Sequence, residues 1–272
     1  MEEKRIKLSV ALAVYNEADN LAKCLDGIKD LADEIIVVDG ASTDATISIA
    51  ESYGARVIKE INRTNFHINK QIAIDACQGD WILQLDADER VSSMLATEIK
   101  TCVEAPLASA PYAYYLKRRN YFLGQWMSKG GMYPDPVIRL FQKGKARLPQ
   151  ASVHELMVVD GPIKWLNQDL LHIADPNFSR YLRRSNRYTS LQAETWLKEG
   201  RLGLDSWTIF LYTCLKPFWR FLEIFLRHKG FIDGFPGLVF AMYSGLHIRT
   251  SYIKYYEKKK SGGSISLSQD WN

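Results

Sequence analysis

The sequence predicts an α/β fold in which helices cover both faces of a mostly parallel sheet, followed by an amphipathic helical appendage. Two patterns lead to this prediction: short apolar runs alternate with stretches of helical periodicity, and basic residues concentrate towards the C-terminus. Alternation of strands and helices is typical of a doubly wound parallel sheet with right-handed crossovers. We therefore expect a sheet domain at 1–175, a helical region at 176–257 and a flexible tail at 258–272.

The N-terminal half supplies four strand–helix units in order. Each predicted strand is apolar, and each following helix begins or ends at a capping residue or a glycine. The predicted strands are 8–15, 34–39, 56–60 and 81–85. The predicted helices are about 20–28, 45–53, 68–78 and 92–111. Strands buried on both faces read as near-continuous apolar runs, as these do.

Polar residues follow three of these strands, namely Asn16 with Glu17, then Asp39, then Asp86 with Asp88. Parallel strands share one carboxyl edge, where ligands of open α/β sheets bind. Two carboxylates one residue apart can face one divalent cation. A solvated turn at 86–88 and a helix cap at Asp39 are the alternatives for each feature alone. Neither G-x-G-x-x-G nor G-x-x-x-x-G-K-[ST] occurs, so the dinucleotide and P-loop fingerprints are absent.

Composition excludes several classes of protein. With 272 residues, 47% of them hydrophobic, the chain can bury a full core. The four cysteines are scattered without a C-x-x-C pair, which argues against a disulfide framework or a thiolate zinc site. We expect no signal peptide. From residue 176 onwards 15 Lys and Arg face 7 Asp and Glu, a net charge of +8, whereas residues 1–175 carry −4.

Three segments form a specific combination: VALAVYNE, EIIVVDGASTD and INKQIAIDACQGDWILQLDADERV. Together they resemble the nucleotide-binding half of family 2 glycosyltransferases of the GT-A fold. Two later segments, RRSNRYTSLQAE and GFIDGFPG, are similar to those of the bacterial lipopolysaccharide inner-core glucosyltransferases in that family. The resemblance covers the chain to about residue 256.

The resemblance implies roles for matched positions in donor binding. The donor-site candidates are Ala13, Tyr15, Asn16, Glu17, Asp39, Lys70, Asp86, Ala87 and Asp88. Asp39 would accept a hydrogen bond from the base, and Lys70 would lie near the diphosphate, although a solvated helix charge is the alternative for Lys70. Asp86 would contact the ribose or the metal, and Asp88 would ligate Mg²⁺ or Mn²⁺.

The segment after residue 111 supplies the acceptor-side candidates. Tyr112 to Leu123 is aromatic and basic, and we interpret it as a loop beside the site that leads to Trp126. The strand 137–141 carries Arg139. The resemblance extends to Val153-His154-Glu155, where Glu155 is the candidate base and His154 an acceptor-side candidate. Core packing for Trp126 and a surface ion pair for Glu155 are the alternatives.

His172 completes the set of site candidates. It follows an apolar run in LLHIADP, and its imidazole could join the metal's ligands beside Asp88. A buried structural histidine is the alternative.

The C-terminal third is predicted to be helical at 178–199, 205–229 and 236–258. Its charge-free stretches are shorter than the roughly 20 residues that span a bilayer. Wide apolar faces beside basic residues favour an anionic membrane surface, with self-packing or a dimer interface as the alternative. No nucleic-acid-binding motif occurs in this region, so we expect no nucleic-acid partner.

We therefore expect an inverting, metal-dependent hexosyltransferase that transfers glucose or a related hexose from a UDP-sugar donor to a lipopolysaccharide-core or other glycolipid acceptor. We expect it to be peripheral on the inner, cytoplasmic face of the plasma membrane. A polyprenyl-phosphate glycosyltransferase is one alternative. A non-catalytic module that binds nucleotide sugars or lipid is another, since fold alone does not establish activity.

Overall fold

The computed structural model describes residues 6–63, 65–149, 156–175, 177–200 and 202–262. The strands are β1 (Leu8–Val14), β2 (Glu34–Asp39), β3 (Arg56–Lys59), β4 (Trp81–Leu85), β5 (Glu89–Arg90), β6 (Ala113–Phe122), β7 (Gln125–Trp126), β8 (Asp135–Gln142), β9 (Ala146–Arg147), β10 (Val158–Val159) and β11 (Ile163–Asp175). The α-helices are α1 (Ala18–Asp26), α2 (Thr46–Ser52), α3 (Phe66–Ala76), α4 (Ser93–Glu104), α5 (Phe178–Glu199), α6 (Ser206–Phe210), α7 (Lys216–Leu222) and α8 (Gly234–Ser261).

The main sheet has the strand order β3-β2-β1-β4-β8-β6-β11-β5, and β7 pairs with β6 outside this path. The pairs of β1 with β2, β1 with β4, and β2 with β3 are all parallel. Strands β4 and β8, and then β8 and β6, pair antiparallel. The predicted α/β class is confirmed, and the chain beyond β4 widens its parallel half with antiparallel strands.

Apolar side chains fill both faces of the parallel half. On one face Leu12 of β1 shares a core with Leu21 of α1 and Leu95 of α4. On the other face Ala11 of β1 shares a core with Ala73 of α3. Successive side chains of a strand point to opposite faces of its sheet, so a strand covered by helices on both sides is apolar at every position.

The interpretation of Tyr112 to Leu123 as a loop is wrong, because residues 113–122 form β6. After a bulge between Tyr114 and Tyr115, the strand buries Leu116, Asn120 and Phe122 at alternate positions. The residues between them are partly exposed, and Arg118, on the same face as Leu116, lies 3.7 Å from the buried Glu89. Three consecutive basic residues, Lys117 to Arg119, masked a period-two pattern that is typical of a strand with one buried face.

The chain divides into two compact units. The first comprises Met1–Arg118 and Asp135–Ile173, and the second comprises Arg119–Pro134 and Ala174–Asn272. The second unit contains α5 to α8, so the predicted helical region is present. π-helical turns at Leu211–Leu215 and Glu223–Arg227 connect α6 and α7 into one helical run from residue 206 to residue 227.

Close backbone packing and caps define the helices of the second unit. The helix α5 begins at Asn177, whose side chain accepts a hydrogen bond from the backbone N–H of Arg180 at 2.9 Å, and ends at Gly200 with a φ of 64°. The helix α8 crosses α7 at Gly245, where a Cβ atom would lie 2.5 Å from the carbonyl oxygen of Pro217. Among the described helices, none is both long and apolar enough to cross a bilayer.

Candidate functional site

Three parallel strands end together at one edge of the first unit. Val14 of β1 pairs with Asp39 of β2, and Leu12 of β1 pairs with Leu85 of β4. The residues that follow these strands therefore start from neighbouring positions, as their place after parallel strands predicts. Ala13, at the end of β1, is half-buried and pairs with Val38.

The turn after β1 is fastened to the turn after β2. Asn16 has a φ of 51°, in the left-handed region, and its Oδ1 accepts a hydrogen bond from the backbone N–H of Thr43 at 2.8 Å. The backbone N–H of Glu17 donates to Oγ1 of Thr46 at 2.9 Å. Tyr15 is exposed. These contacts leave Tyr15 available to a ligand, while Asn16 and Glu17 hold the two turns together.

An open cleft of about 460 Å³ lies beside these turns. It is lined by Asp39, Ala41, Ser42, Ile47, Lys59, Glu60 and Ile61. Asp39 is fully buried, and its Oδ2 accepts a hydrogen bond from the backbone N–H of Ser42 at 2.9 Å. Its Oδ1 has no hydrogen-bond donor among the described residues. Because a buried acceptor without a donor is unfavourable, this oxygen is a candidate acceptor for a donor group on a ligand.

Asp86 lies between two cationic side chains. Lys70 of α3 forms an ion pair with Oδ1 of Asp86, and Arg139 of β8 donates to Oδ2 at 2.6 Å. Burial alone would raise the pKa of Asp86, but the charges on Arg139 and Lys70 hold it well below its usual range. The ammonium group of Lys70 also lies 5.0 Å from the ring centre of Phe66, and its place near a diphosphate remains a prediction.

Arg139 is buried behind the β4–β5 turn. Its guanidinium donates to Glu89 through Nε and Nη2, at 3.2 and 2.7 Å, and to Gln84 through Nη1. Burial would lower the pKa of Arg139, but the carboxylates of Asp86 and Glu89 raise it. The proposed contact of Arg139 with an acceptor remains a prediction.

Asp88 and His172 face each other across the end of the sheet. His172 Nε2 lies 3.5 Å from Asp88 Oδ2, and the backbone N–H of Ile173 donates to the carbonyl oxygen of Asp88 at 2.9 Å. Magnesium sites commonly combine one or two carboxylates with water and substrate phosphates, and imidazole is a frequent metal ligand. This donor set fits a divalent cation. The described residues contain no cluster of three or more His, Cys, Asp or Glu side chains that could hold a metal.

Three further candidates complete the predicted site. Trp126 lies in the second unit, where the guanidinium of Arg119 stacks 4.4 Å from its ring centre and Tyr133 meets it edge-on. His154 and Glu155 lie outside the described residues. The roles of all three stay predictions.

Sequence reasoning missed Glu89 and its ion pair with Arg139. Glu89 is fully buried, and it also lies 3.7 Å from Arg118 Nη1. A signal was present, because Arg139 interrupts the apolar run VIRLF and a charge in a buried strand requires a partner. The identity of that partner depends on strand pairing, which spacing alone does not give.

The parallel strands share one carboxyl edge, which carries the D-x-D turn at the end of β4 and an open cleft at the ends of β2 and β3. This arrangement fits the class of GT-A glycosyltransferases that the sequence resembles. The model of one family, glycosyl transferase family 2, matches residues 9–171, which is more than half of the chain. The chain therefore belongs to glycosyl transferase family 2, and it is a glycosyltransferase by class.

Relatives support this assignment along most of the chain. The lipopolysaccharide core biosynthesis glycosyltransferase LpsC of Rhizobium meliloti (strain 1021) is 26% identical over 261 residues, which cover 93% of each chain. An uncharacterized glycosyltransferase of Rickettsia felis is 30% identical over 245 residues, 87% of this chain and 84% of that one. The structure of S. aureus TarS 1–349 with UDP-GlcNAc has a TM-score of 0.50 at 14% identity, covers 94% of this chain and 92% of that one, and shows the shared fold.

Proposed function

We propose that the protein is an inverting, metal-dependent hexosyltransferase that moves glucose or a related hexose from a UDP-sugar to a hydroxyl group of a lipopolysaccharide-core or other glycolipid. The observation that carries the donor assignment is the buried Oδ1 of Asp39 beside the open cleft. The imide N–H of uracil is the kind of donor that this oxygen lacks. Cytosine presents an acceptor at the same ring position, so the carboxylate favours uridine over cytidine.

The diphosphate of the donor would lie towards Asp86 and Asp88, at the end of β4. The ammonium group of Lys70 supplies positive charge there from α3. Asp88 and His172 would hold Mg²⁺ or Mn²⁺, with Asp86 beside them. When bound, such a cation stabilises the negative charge that develops on the departing diphosphate.

The acceptor assignment draws on the relative LpsC, whose name places it in lipopolysaccharide core biosynthesis. An alcohol is a poor nucleophile near neutral pH, so transfer to a glycolipid hydroxyl requires a base. A positioned base contributes about 10²- to 10⁴-fold to the rate. We assign this role to Glu155. A single displacement at the anomeric carbon then inverts its configuration, and the aromatic ring of Trp126 offers a face for a sugar.

Product stereochemistry tests this function. Purified protein is incubated with Mn²⁺, UDP-glucose and a lipopolysaccharide-core acceptor, and the new glycosidic bond is analysed by NMR. The proposal predicts release of UDP and a product whose anomeric configuration is opposite to that of the donor. Retention of configuration would contradict the mechanism, and absence of UDP release from every UDP-hexose would contradict the donor.

We further propose that the protein acts on the cytoplasmic face of the plasma membrane and docks there through its C-terminal helices. Exposed apolar residues of the described chain concentrate between residues 206 and 261. They are Trp207, Phe210, Leu215, Phe218, Trp219, Leu226, Phe231, Ile232, Phe235, Met242, Leu246 and Ile253. We call this set the exposed hairpin face. Trp219 is 70% exposed and Phe235 is 71% exposed, which is unfavourable in water.

The exposed hairpin face is organised by helical spacing. In α8 the exposed residues Phe235, Met242, Leu246 and Ile253 follow one another at intervals of 7, 4 and 7, so they form one stripe. Residues 206–261 carry nine Lys and Arg against three Asp and Glu. Basic residues beside an apolar face are complementary to anionic lipid, each contributing about 1 kcal/mol near such a surface.

Vesicle sedimentation tests this docking. The protein should pellet with phosphatidylglycerol vesicles and less with phosphatidylcholine vesicles, and added salt should release it. Trp219→Ser with Phe235→Ser should reduce binding about tenfold or more. Trp165→Ser, at an exposed tryptophan of the first unit, is the matched control and should not. Equal binding by the double variant, or concentration-dependent dimerisation that buries the face without lipid, would contradict the proposal.

A further inference from the structure

A buried ion pair lies directly behind the acidic turn, and the proposed chemistry does not use it. Glu89 is fully buried and Arg139 is almost so. The Arg139 guanidinium meets three side chains at once: Gln84 through Nη1, Glu89 through Nε and Nη2, and Asp86 through Nη2. A planar fork with several donors can satisfy such an arrangement, whereas the point charge of lysine cannot.

The pair fixes Asp86 at two places. Oε2 of Glu89 accepts a hydrogen bond from the backbone N–H of Asp86 at 3.0 Å. Arg139 Nη2 donates to Oδ2 of the Asp86 side chain at 2.6 Å. With backbone and one carboxylate oxygen held, the other oxygen, Oδ1, has a defined direction. That oxygen contacts the ammonium group of Lys70.

Lys70 therefore has a counter-ion, Asp86, whose position is fixed by Glu89 and Arg139. Its side chain is largely buried, at 12% exposure, so its ammonium group has little freedom to move. An ammonium group has three N–H donors, and Asp86 can occupy one while others remain for a ligand. A divalent cation placed against Asp86 would stand beside the charges of both Lys70 and Arg139, which is repulsive.

We propose that Glu89 and Arg139 are positioning residues that hold Asp86 as the counter-ion of Lys70, so that Lys70 is fixed for contact with the donor's diphosphate while the metal is left to Asp88 and His172. This inference rests on the proposed function, because it assumes a UDP-sugar donor. It predicts that the four linked side chains, Glu89, Arg139, Asp86 and Lys70, act as one unit in nucleotide binding. It also predicts that this unit is separable from metal binding.

The test measures the dissociation constant of UDP by calorimetry, once in EDTA and once with saturating Mn²⁺. The ratio of the two constants reports the contribution of the metal. Arg139→Lys keeps the charge but loses the fork, and Lys70→Gln removes the cation. Loss of a hydrogen bond to a charged group typically weakens binding by about 10- to 100-fold, so each variant should weaken UDP binding in EDTA by roughly that factor.

The UDP affinity of a double variant distinguishes a positioning role from a general loss of structure. The double variant Arg139→Lys/Lys70→Gln should bind UDP about as well as Lys70→Gln alone, since residues that act through one another are not additive. The Mn²⁺ ratio should stay within about threefold of wild type in both single variants and in Asp86→Asn. Arg184→Lys, which alters the ion pair of Arg184 with the buried Asp175 in the second unit, is the matched control and should change neither quantity.

Additive losses in the double variant would overturn the inference, and so would loss of the Mn²⁺ ratio in Asp86→Asn. If Arg139→Lys fails to fold, Glu89→Asp and Asp86→Asn replace it in the same cycle with Lys70→Gln. Failure of wild type to bind UDP at all would instead overturn the proposed donor. The two failures are therefore distinguished by the wild-type protein alone.

Discussion

Replacing Asp39 by asparagine should change which nucleotide the cleft accepts. In Asp39→Asn an uncharged amide takes the place of the carboxylate, whose Oδ2 accepts from the backbone N–H of Ser42. The amide keeps one acceptor for Ser42 and turns its NH₂ group towards the cleft. A hydrogen bond to a charged group contributes about 1.5–3 kcal/mol, so UDP should bind roughly 10- to 150-fold more weakly. CDP, whose ring nitrogen accepts at that position, should bind better than it binds to wild type.

Calorimetric titration of UDP and CDP into both proteins measures this exchange. Glu60→Gln is the control, because Glu60 lines the same cleft and its carboxylate is paired with Arg63 at 3.1 Å. It removes one negative charge without removing the buried acceptor, so it should leave UDP affinity unchanged or slightly improved. Equal UDP affinity in wild type and Asp39→Asn would refute the assignment of this oxygen to the base.

Three further outcomes are expected. Glu155→Gln should lower turnover by about 10²- to 10⁴-fold while UDP binding is unchanged; retained turnover would favour an acidic acceptor such as a polyprenyl phosphate. Gly245→Ala should destabilise the protein by about 1–3 kcal/mol in thermal unfolding, because its methyl group would overlap the Pro217 carbonyl, whereas the neighbouring Ser244→Ala should not; equal melting temperatures would contradict this. Burial raises the pKa of Asp86, but the charges of Arg139 and Lys70 hold it well below its usual value. The stability that the ionised Asp86 contributes to the fold is therefore present above about pH 4 and is lost as the pH falls further. Asp86→Asn should lose less stability in acid than wild type, and equal acid sensitivity would contradict this.

The parallel half of the fold could be predicted because each of its strands and helices has a sequence pattern within its own residues. Apolar runs that end in polar residues identified β1, β2, β3 and β4. The helix predicted at 178–199 is present at Phe178–Glu199. The strand β6 was missed because the consecutive basic residues Lys117, Arg118 and Arg119 interrupt its alternating pattern and resemble a surface loop. Its partner β8 lies elsewhere in the chain, and only pairing shows which residues are buried.

The site was predictable to the same extent. Residues that directly follow parallel strands converge by topology, so Asp39 and Asp86 could be named from the sequence. The pairing of Leu83 with Leu140 brings β8 beside β4, and this register places Arg139 next to the acidic turn. No spacing in the sequence encodes a register between antiparallel strands more than 50 residues apart. For that reason the buried partner of Arg139 could not be predicted.

The most direct test of the central claim is a thermal-shift panel of UDP, GDP, CDP and dTDP, each with and without Mn²⁺, on wild type and on Asp88→Asn. A ligand at a hundred times its dissociation constant adds about 2.7 kcal/mol of stability, so a true donor nucleotide is readily detected. The proposed function predicts a clear shift with UDP, which Mn²⁺ increases in wild type but not in Asp88→Asn. The absence of a shift with every nucleotide would contradict it and would favour a non-catalytic role for this fold.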